Sequence, residues 1–137
     1  MPLDPAQVAE TRAWFRRSRD DLRAGRLDLT ATPPLGADAC FHAQQAAEKS
    51  LKGLLCWHLQ PVRKTHDLKE LGERCAAIVP ELGAACRSVA RLTEFAWRFR
   101  YPGEDLEPDV AEAAEALALA EQLVQAVLST LPPDVAP

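Results

Sequence analysis

One stretch of this chain carries side chains that can bind a phosphate group along one side of a helix. The stretch runs from Phe41 to Lys52 and reads FHAQQAAEKSLK. At 100° per residue, its hydrogen-bonding and positive side chains fall within an arc of about 80°. They are His42, Gln45, Lys49 and Lys52. Such a polar strip suits a phosphate or an acidic partner, and the alternative is an ordinary solvated helix face.

The opposite side of the same helix is small and apolar, as close helix packing requires. It carries Ala43, Ala47, Leu51 and Leu54. The whole chain has 137 residues and is 47% hydrophobic, with alanine and leucine as the main apolar types. This composition predicts an all-α protein with one domain over residues 1–137 and a core from about 5 to 131. The expected architecture is an antiparallel up-and-down bundle of four main helices and a shorter one.

Capping residues and breakers set the expected helix limits. Asp4 precedes Pro5 and caps the first helix, which is predicted to stop at Gly25. Asp67 caps the third helix with Glu70 three residues later. The predicted helices cover about residues 5–23, 37–59 and 67–79, a fourth begins at 80 and is ended by Tyr101-Pro102-Gly103, and a last one begins at 107–109.

Apolar residues at helical spacing predict which sides of these helices are buried. In the first helix they are Val8, Phe15 and Leu22, with Trp14 beside them. In the fourth they are Leu82, Ala85, Cys86, Val89, Leu92 and Phe99, and in the last they are Val110, Ala114, Leu117, Val124 and Leu128. Trp57 and Trp97 are expected to be buried in the core or at a dimer interface.

Charge is divided unevenly along the chain. All 16 Lys and Arg lie in residues 1–100 beside 12 Asp and Glu, whereas residues 101–137 contain eight acids and no base. This distribution argues against a duplex DNA-binding surface but allows a local basic cleft. No apolar run approaches a membrane span and the N-terminus does not resemble a secretory signal, so we expect a cytoplasmic protein without membrane association.

The cysteines do not form a metal-binding pattern. The pairs Cys40–His42 and Cys56–His58 are 16 residues apart on one helix, which separates them by about 24 Å. A single zinc ion needs all four ligands about 2 Å away. We therefore expect buried thiols, with no metal and no cofactor.

Two further segments carry functional residue types. The first is the loop Lys64–Leu68, which contains His66, and the second is Arg98–Pro102, which contains Arg98, Arg100 and Tyr101. Structural explanations stay open for each group. His66 can pack the turn before the third helix, and Arg100 and Tyr101 can cap the fourth helix. Lys49 and Lys52 can pair with the acidic last helix or with a dimer mate, and Glu48 lies one helical turn from Lys52 as an i,i+4 partner.

Taken together and in order, these motifs resemble the HEPN domain family. Trp14 precedes a helix of the form A-x-Q-A-A-E-K-x-L-K at Ala43 to Lys52. A T-H-[DS]-L turn follows at Thr65 to Leu68, and R-Y-P lies at 100–102. The resemblance covers about residues 6–130.

The resemblance implies a helical bundle that commonly forms a homodimer. Such proteins often pair with a minimal nucleotidyltransferase, and many relatives are metal-independent ribonucleases, some of them toxins of toxin–antitoxin pairs. Their catalytic signature is an arginine followed four to six residues later by a histidine. Here Pro102, Gly103 and Glu104 occupy those places after Arg98, and no histidine follows His66.

The sequence therefore favours a non-catalytic module that binds a nucleotide, a phosphate or RNA through seven residues. These are His42, Gln45, Lys49, Lys52, His66, Arg100 and Tyr101. One alternative is an endoribonuclease that uses Arg98 or Arg100 with His66 as a displaced base. Another is a structural adaptor that dimerises through apolar helix faces.

Overall fold

The computed structural model describes residues 2–99, 102 and 107–137, and this part of the chain is helical without strands. The α-helices are α1 (Pro5–Thr30), α2 (Gly36–Trp57), α3 (Leu68–Ile78), α4 (Gly83–Val89) and α5 (Val110–Ser129). Short 3-10 helices cover Pro80–Leu82, Ala90–Ala96 and Pro133–Val135. The prediction of an all-α bundle is confirmed.

Aspartate side chains begin three of the helices. Asp4 accepts a hydrogen bond from the Ala6 amide at 3.0 Å. Asp67 accepts from the Lys69 amide at 3.0 Å, and Asp109 accepts from the Glu112 amide at 2.7 Å. Each carboxylate accepts a hydrogen bond from an amide that has no partner within the helix. Its negative charge also interacts favourably with the positive end of the helix dipole.

Helix α2 lies at the centre of the bundle, packed against α1 on one side and α5 on another. Small residues permit the close approach to α1. A Cβ atom added to Gly53 would lie 2.8 Å from the Phe15 ring, which is shorter than any normal contact. The Ser18 hydroxyl donates to the Ala46 carbonyl at 2.7 Å across the same seam. The expected packing of the alanine-rich side is confirmed, since Ala43, Ala47, Leu51 and Leu54 are fully buried.

The first helix is longer than predicted. It continues through Gly25 to Thr30, so the expected stop at Gly25 is wrong. Gly25 is buried, and its missing side chain makes room for Leu117 of α5, because an added Cβ would lie 2.4 Å from a Leu117 methyl carbon. Tertiary packing thus outweighs the weak helix propensity of glycine at this position.

The fourth helix is shorter than predicted. Instead of one helix to Phe99, α4 ends at Val89 and a 3-10 helix covers Ala90–Ala96. The Thr93 hydroxyl donates to the Ala90 carbonyl at 2.9 Å and accepts from the Leu68 amide at 3.1 Å. These side-chain bonds hold the tighter three-residue repeat and link this segment to the start of α3.

The buried side of α5 also differs from the prediction in part. Leu117 and Val124 are buried as expected, whereas Ala114 and Val110 are exposed. The buried side follows a run of alanines, Ala113, Ala116 and Ala120. These small residues let α5 approach the alanine-rich side of α2 closely. Trp97, expected in the core or at an interface, is 54% exposed in this chain.

Candidate functional site

The polar strip of α2 meets carboxylates from within the same chain. Asp21 of α1 accepts from Lys49 Nζ at 2.6 Å and pairs with His42 Nδ1 at 2.9 Å. Asp21 is 8% exposed, so its two partners offset the cost of burying its charge. His42 and Lys49 therefore tie α2 to α1. We call this group the seam cluster: Asp21, Asp28, His42 and Lys49.

Asp28 completes the seam cluster on the other side of the His42 ring. His42 Nε2 lies 3.9 Å from Asp28 Oδ2, and that oxygen is buried without a hydrogen bond in the described part of the chain. Burial raises the pKa of the Asp28 carboxyl, the charge of His42 lowers it, and Asp38 raises it further. Because the imidazole has an aspartate near each nitrogen, its capacity for another ligand is small.

A second polar group surrounds Glu48, the residue before Lys49. The Glu48 side chain is 5% exposed and accepts from Lys52 Nζ at 3.0 Å. The Gln44 side-chain amide donates to Glu48 Oε1 at 3.2 Å. Lys52 is itself buried, and its ammonium lies 6.0 Å from the centre of the Trp14 ring. Of the partners that the sequence offers for Lys52, the described residues show Glu48 one helical turn away, and pairing with a dimer mate stays a prediction.

Glu48 also holds His66, which lies outside the helix. His66 Nδ1 is 2.6 Å from Glu48 Oε1. A carboxylate only accepts hydrogen bonds, so Nδ1 is the protonated nitrogen and Nε2 is available as an acceptor or proton-binding atom. The His66 side chain is 62% exposed. We call Gln44, Glu48, Lys52 and His66 the open cluster, because its imidazole faces solvent.

The backbone around His66 is fixed by several hydrogen bonds. Gln44 donates to the His66 carbonyl at 3.3 Å, and the Thr65 hydroxyl accepts from the Asp67 amide at 3.1 Å. The Leu68 amide, which follows the Asp67 cap, donates to Thr93. The loop is therefore attached to α2 on one side and to the segment after α4 on the other, which preorganises the ring.

Gln45 is bonded to the open cluster. Its side-chain amide nitrogen donates to the side-chain oxygen Oε1 of Gln44 at 2.6 Å, and Gln45 precedes Glu48 and Lys49 by about one helical turn. Thus His42, Gln45, Lys49, Lys52 and His66 belong to one polar band, although their positive groups already have carboxylate partners. This band differs from the free cationic strip that the sequence suggests.

Arg98 lies at the end of the described segment before residue 100. Its guanidinium donates to Glu94 at 2.8 Å and lies 5.0 Å from the centre of the Phe99 ring. Burial and Glu112 raise the pKa of the Cys40 thiol near the beginning of α2 to about 11, against the opposing effect of the Arg98 charge. The predicted Arg100 and Tyr101 lie outside the described residues.

The cysteines are free and three of them are buried. Burial raises the pKa of the Cys75 thiol to about 12 and raises that of Cys86 as well, so these thiols stay protonated at neutral pH. In residues 2–99, 102 and 107–137, no group of histidine, cysteine and acidic side chains has the arrangement of a metal site. Within the same residues, no helix is long and apolar enough to cross a bilayer.

Sequence reasoning did not place four residues of the two clusters in the site, namely Asp21, Asp28, Gln44 and Glu48. Asp21 follows the buried Ser18 by three residues, and it is an acid at the border of an apolar stripe. That position is a signal for a buried ion pair. Gln44 is fully buried, and its place between the alanines of α2 indicated the same kind of internal role.

Comparisons with known proteins agree with the fold and with the motifs. The family model described as HEPN domain matches residues 11–130. The crystal structure of TT1696 from Thermus thermophilus is 31% identical and superposes with a TM-score of 0.71, covering 88% of this chain and 98% of that chain. No curated protein matches this chain. The family match extends over most of the sequence and includes both polar clusters, and the chain belongs to the HEPN domain family.

Proposed function

We propose that this HEPN-domain protein binds the phosphate of a nucleotide or a short RNA at the open cluster, without catalysing a reaction. The observation that carries the proposal is the exposed His66 imidazole, which a buried carboxylate orients at 2.6 Å. An imidazole fixed through Nδ1 directs Nε2 outward, and a protonated Nε2 donates to a phosphate oxygen.

Positive side chains near His66 support an anionic ligand. Lys64 is exposed two residues before His66, and it forms no hydrogen bond or ion pair within the described residues. Arg63 lies 3.8 Å from Glu70, and the Arg63 side chain is 70% exposed. Exposed cations of this kind can turn to a phosphate at small cost, whereas Lys52 would have to leave a buried pair.

The proposal includes a homodimer and a minimal nucleotidyltransferase as partner, in a pair of the toxin–antitoxin kind. Both rest on membership of the family. They are tested by co-expression with the product of the neighbouring gene, followed by co-purification and by measurement of the molar mass. A monomer that does not co-purify with that product contradicts this part of the proposal.

Calorimetry with ATP, GTP and a short single-stranded RNA tests the phosphate site. We expect micromolar binding of at least one ligand, and His66→Gln should weaken it about tenfold by removing one charge-assisted hydrogen bond. His58→Gln is the control, because His58 lies at the end of α2 outside the open cluster. Absence of binding, or an equal loss in the control, contradicts the proposal.

The second candidate function is a metal-independent endoribonuclease. It is favoured by the carboxylate–imidazole pair of Glu48 and His66, since such a pair fixes the tautomer that a general base requires. Arg98 or Arg100 would then stabilise the charge of the phosphorane. RNA cleavage that needs the 2′-hydroxyl and is lost in both His66→Ala and Arg100→Ala would favour this function over simple binding. RNA that stays intact with the folded protein rules it out.

A further inference from the structure

A line of arginines follows α1 on the side away from the seam cluster. Taking Arg12 as the reference, five arginines fall within an arc of about 80° and extend over about 21 Å, while Asp21 lies about 180° away. We call these residues the arginine stripe: Arg12, Arg16, Arg19, Arg23 and Arg26. The stripe borders the groove between α1 and α5.

The chain itself shows what this groove can hold. Residues 131–137 fold back over the first half of α1, where Arg12 Nε donates to the Asp134 carbonyl at 2.9 Å. The Arg19 guanidinium donates to the Pro137 carbonyl. Val135, between these two contacts, is fully buried. Two arginines of the stripe therefore hold a backbone through its carbonyl oxygens, while an apolar side chain of the same segment packs into the core.

The groove continues beyond this segment as a cavity of about 280 Å³ between α1 and α5. Leu22, Val124 and Leu128 form an apolar floor, and Arg19 and Arg26 line the side that belongs to α1. This part of the groove repeats the combination that holds the C-terminal segment, namely guanidinium groups beside an apolar floor.

The charge along the groove is positive. Arg16 and Arg23 are exposed and form no hydrogen bond or ion pair with any described residue. Arg26 pairs with Glu121 across the groove at 2.5 Å, with both side chains exposed. Asp20 is the acid that follows Arg16 by one turn of α1. The four stripe arginines from Arg16 to Arg26 therefore outnumber the acids Asp20 and Glu121 beside them, which suits carboxylates on the occupant.

We propose that this groove binds an extended acidic segment of a partner protein. Carboxylates of that segment would pair with Arg16, Arg19 and Arg23, and an apolar side chain would cover Leu22 and Leu128. None of the residues that line the cavity is aromatic, whereas single-stranded RNA is usually held by stacking on aromatic rings. The seated C-terminal segment also favours a peptide. The inference is independent of the His66 site.

Fluorescence anisotropy with a labelled short peptide of alternating glutamate and leucine tests the proposal. Arg23→Glu should weaken binding about fivefold, since it replaces an attraction by a repulsion at the edge of the groove. Arg17→Glu is the matched control, because Arg17 is an exposed arginine of α1 outside the stripe. Binding should also weaken with added salt.

A second pair of variants tests the α5 side of the groove. Gln125 lines the cavity and Gln122 does not, although both are exposed glutamines of α5. Gln125→Glu should weaken peptide binding and Gln125→Lys should strengthen it, while the same changes at Gln122 should have little effect. All these sites are exposed, so unchanged circular dichroism and Tm are expected and show that the fold is intact.

Three results would overturn the proposal. The first is that the acidic peptide does not bind, and the second is that each control variant weakens binding as much as its test variant. The third is an oligouridine that binds through Arg23 and Gln125 more tightly than the peptide does, because the surface would then serve RNA. Loss of binding confined to the groove variants, with a peptide of lysine and leucine failing to bind, supports the proposal.

Discussion

The seam cluster and the open cluster contain similar residues but differ in what they leave exposed. In the seam cluster, His42 is 27% exposed and has Asp21 and Asp28 near its two nitrogens. In the open cluster, His66 is 62% exposed and has a carboxylate at Nδ1. A histidine between two carboxylates fastens two helices, whereas a histidine with one bound nitrogen can act on a ligand. Residue type alone does not separate these roles.

The two carboxylates at the centres of the clusters also differ. Glu48 lies almost fully buried against a buried Lys52, while Asp21 pairs with Lys49 and His42, whose side chains remain about a quarter exposed. A charge partner that stays buried has no water to replace a lost contact. Loss of the Glu48 carboxylate should therefore lower the free energy of unfolding more than loss of the Asp21 carboxylate does. Loss of the His66 imidazole should weaken ligand binding more than loss of the His42 imidazole does.

The largest effect is expected from Glu48→Leu, which leaves the Lys52 ammonium buried without its carboxylate. The free energy of unfolding should fall by about 3–5 kcal/mol, as measured by chemical denaturation. Glu48→Leu combined with Lys52→Met should recover most of this loss, because no buried charge remains. Glu115→Leu in the exposed Arg91–Glu115 pair is the control, with an expected loss below about 1 kcal/mol.

Asp21→Asn should have an intermediate effect. It removes the charge that holds Lys49 and His42, and both of these side chains regain water when released. The expected loss of unfolding free energy is about 1–2 kcal/mol. If Asp21→Asn destabilises the protein more than Glu48→Leu does, the proposed difference between the clusters is wrong.

Separate replacement of the two histidines by glutamine compares their contributions to ligand binding and to stability. His66→Gln should weaken phosphate-ligand binding about tenfold with little effect on Tm. His42→Gln should lower the unfolding free energy by about 1 kcal/mol and leave binding unchanged. Calorimetry and thermal denaturation of both variants measure the two effects, and equal losses of affinity would show that the seam cluster also contacts the ligand.

The smallest effect concerns Asp28 and depends on pH. Its folded-state pKa is raised above the ordinary value of 3.8, chiefly by burial, so the folded state keeps a proton longer than the unfolded state as the pH rises from acid. Stability contributed by this group is lost as the pH rises through the folded-state pKa. Asp28→Asn should therefore exceed the wild type in stability at neutral pH by less than about 1 kcal/mol, and the difference should vanish in acid. A constant difference from acid to neutral pH would contradict this assignment.

Much of the fold follows from local sequence signals, and the exceptions have physical causes. The caps Asp4, Asp67 and Asp109 lie where helix chemistry predicts them. Gly25 does not end α1, because its lack of a side chain admits Leu117. Such a contact depends on residues about ninety positions apart, so a local pattern does not reveal it.

The sequence predicts the positive residues of the site better than it predicts the carboxylates that pair with them. His66 and Lys49 stand out by type and spacing, but the carboxylates Asp21 and Glu48 become central only when two elements approach each other. The same proximity turns a cationic strip into a neutralised band. By contrast, the ion pair of Arg98 with Glu94 can be expected from their separation of four residues in the sequence.

The Asp67 cap and the Leu68–Thr93 hydrogen bond have a consequence for variation in loop length. Because they fix the start of α3, residues inserted between Gln60 and Arg63 would bulge into solvent and leave His66 over Glu48. One residue inserted between His66 and Asp67 would instead displace the ring from its carboxylate. In homologues whose histidine binds a ligand, the loop before Arg63 should therefore vary in length, whereas His66 and Asp67 should stay adjacent.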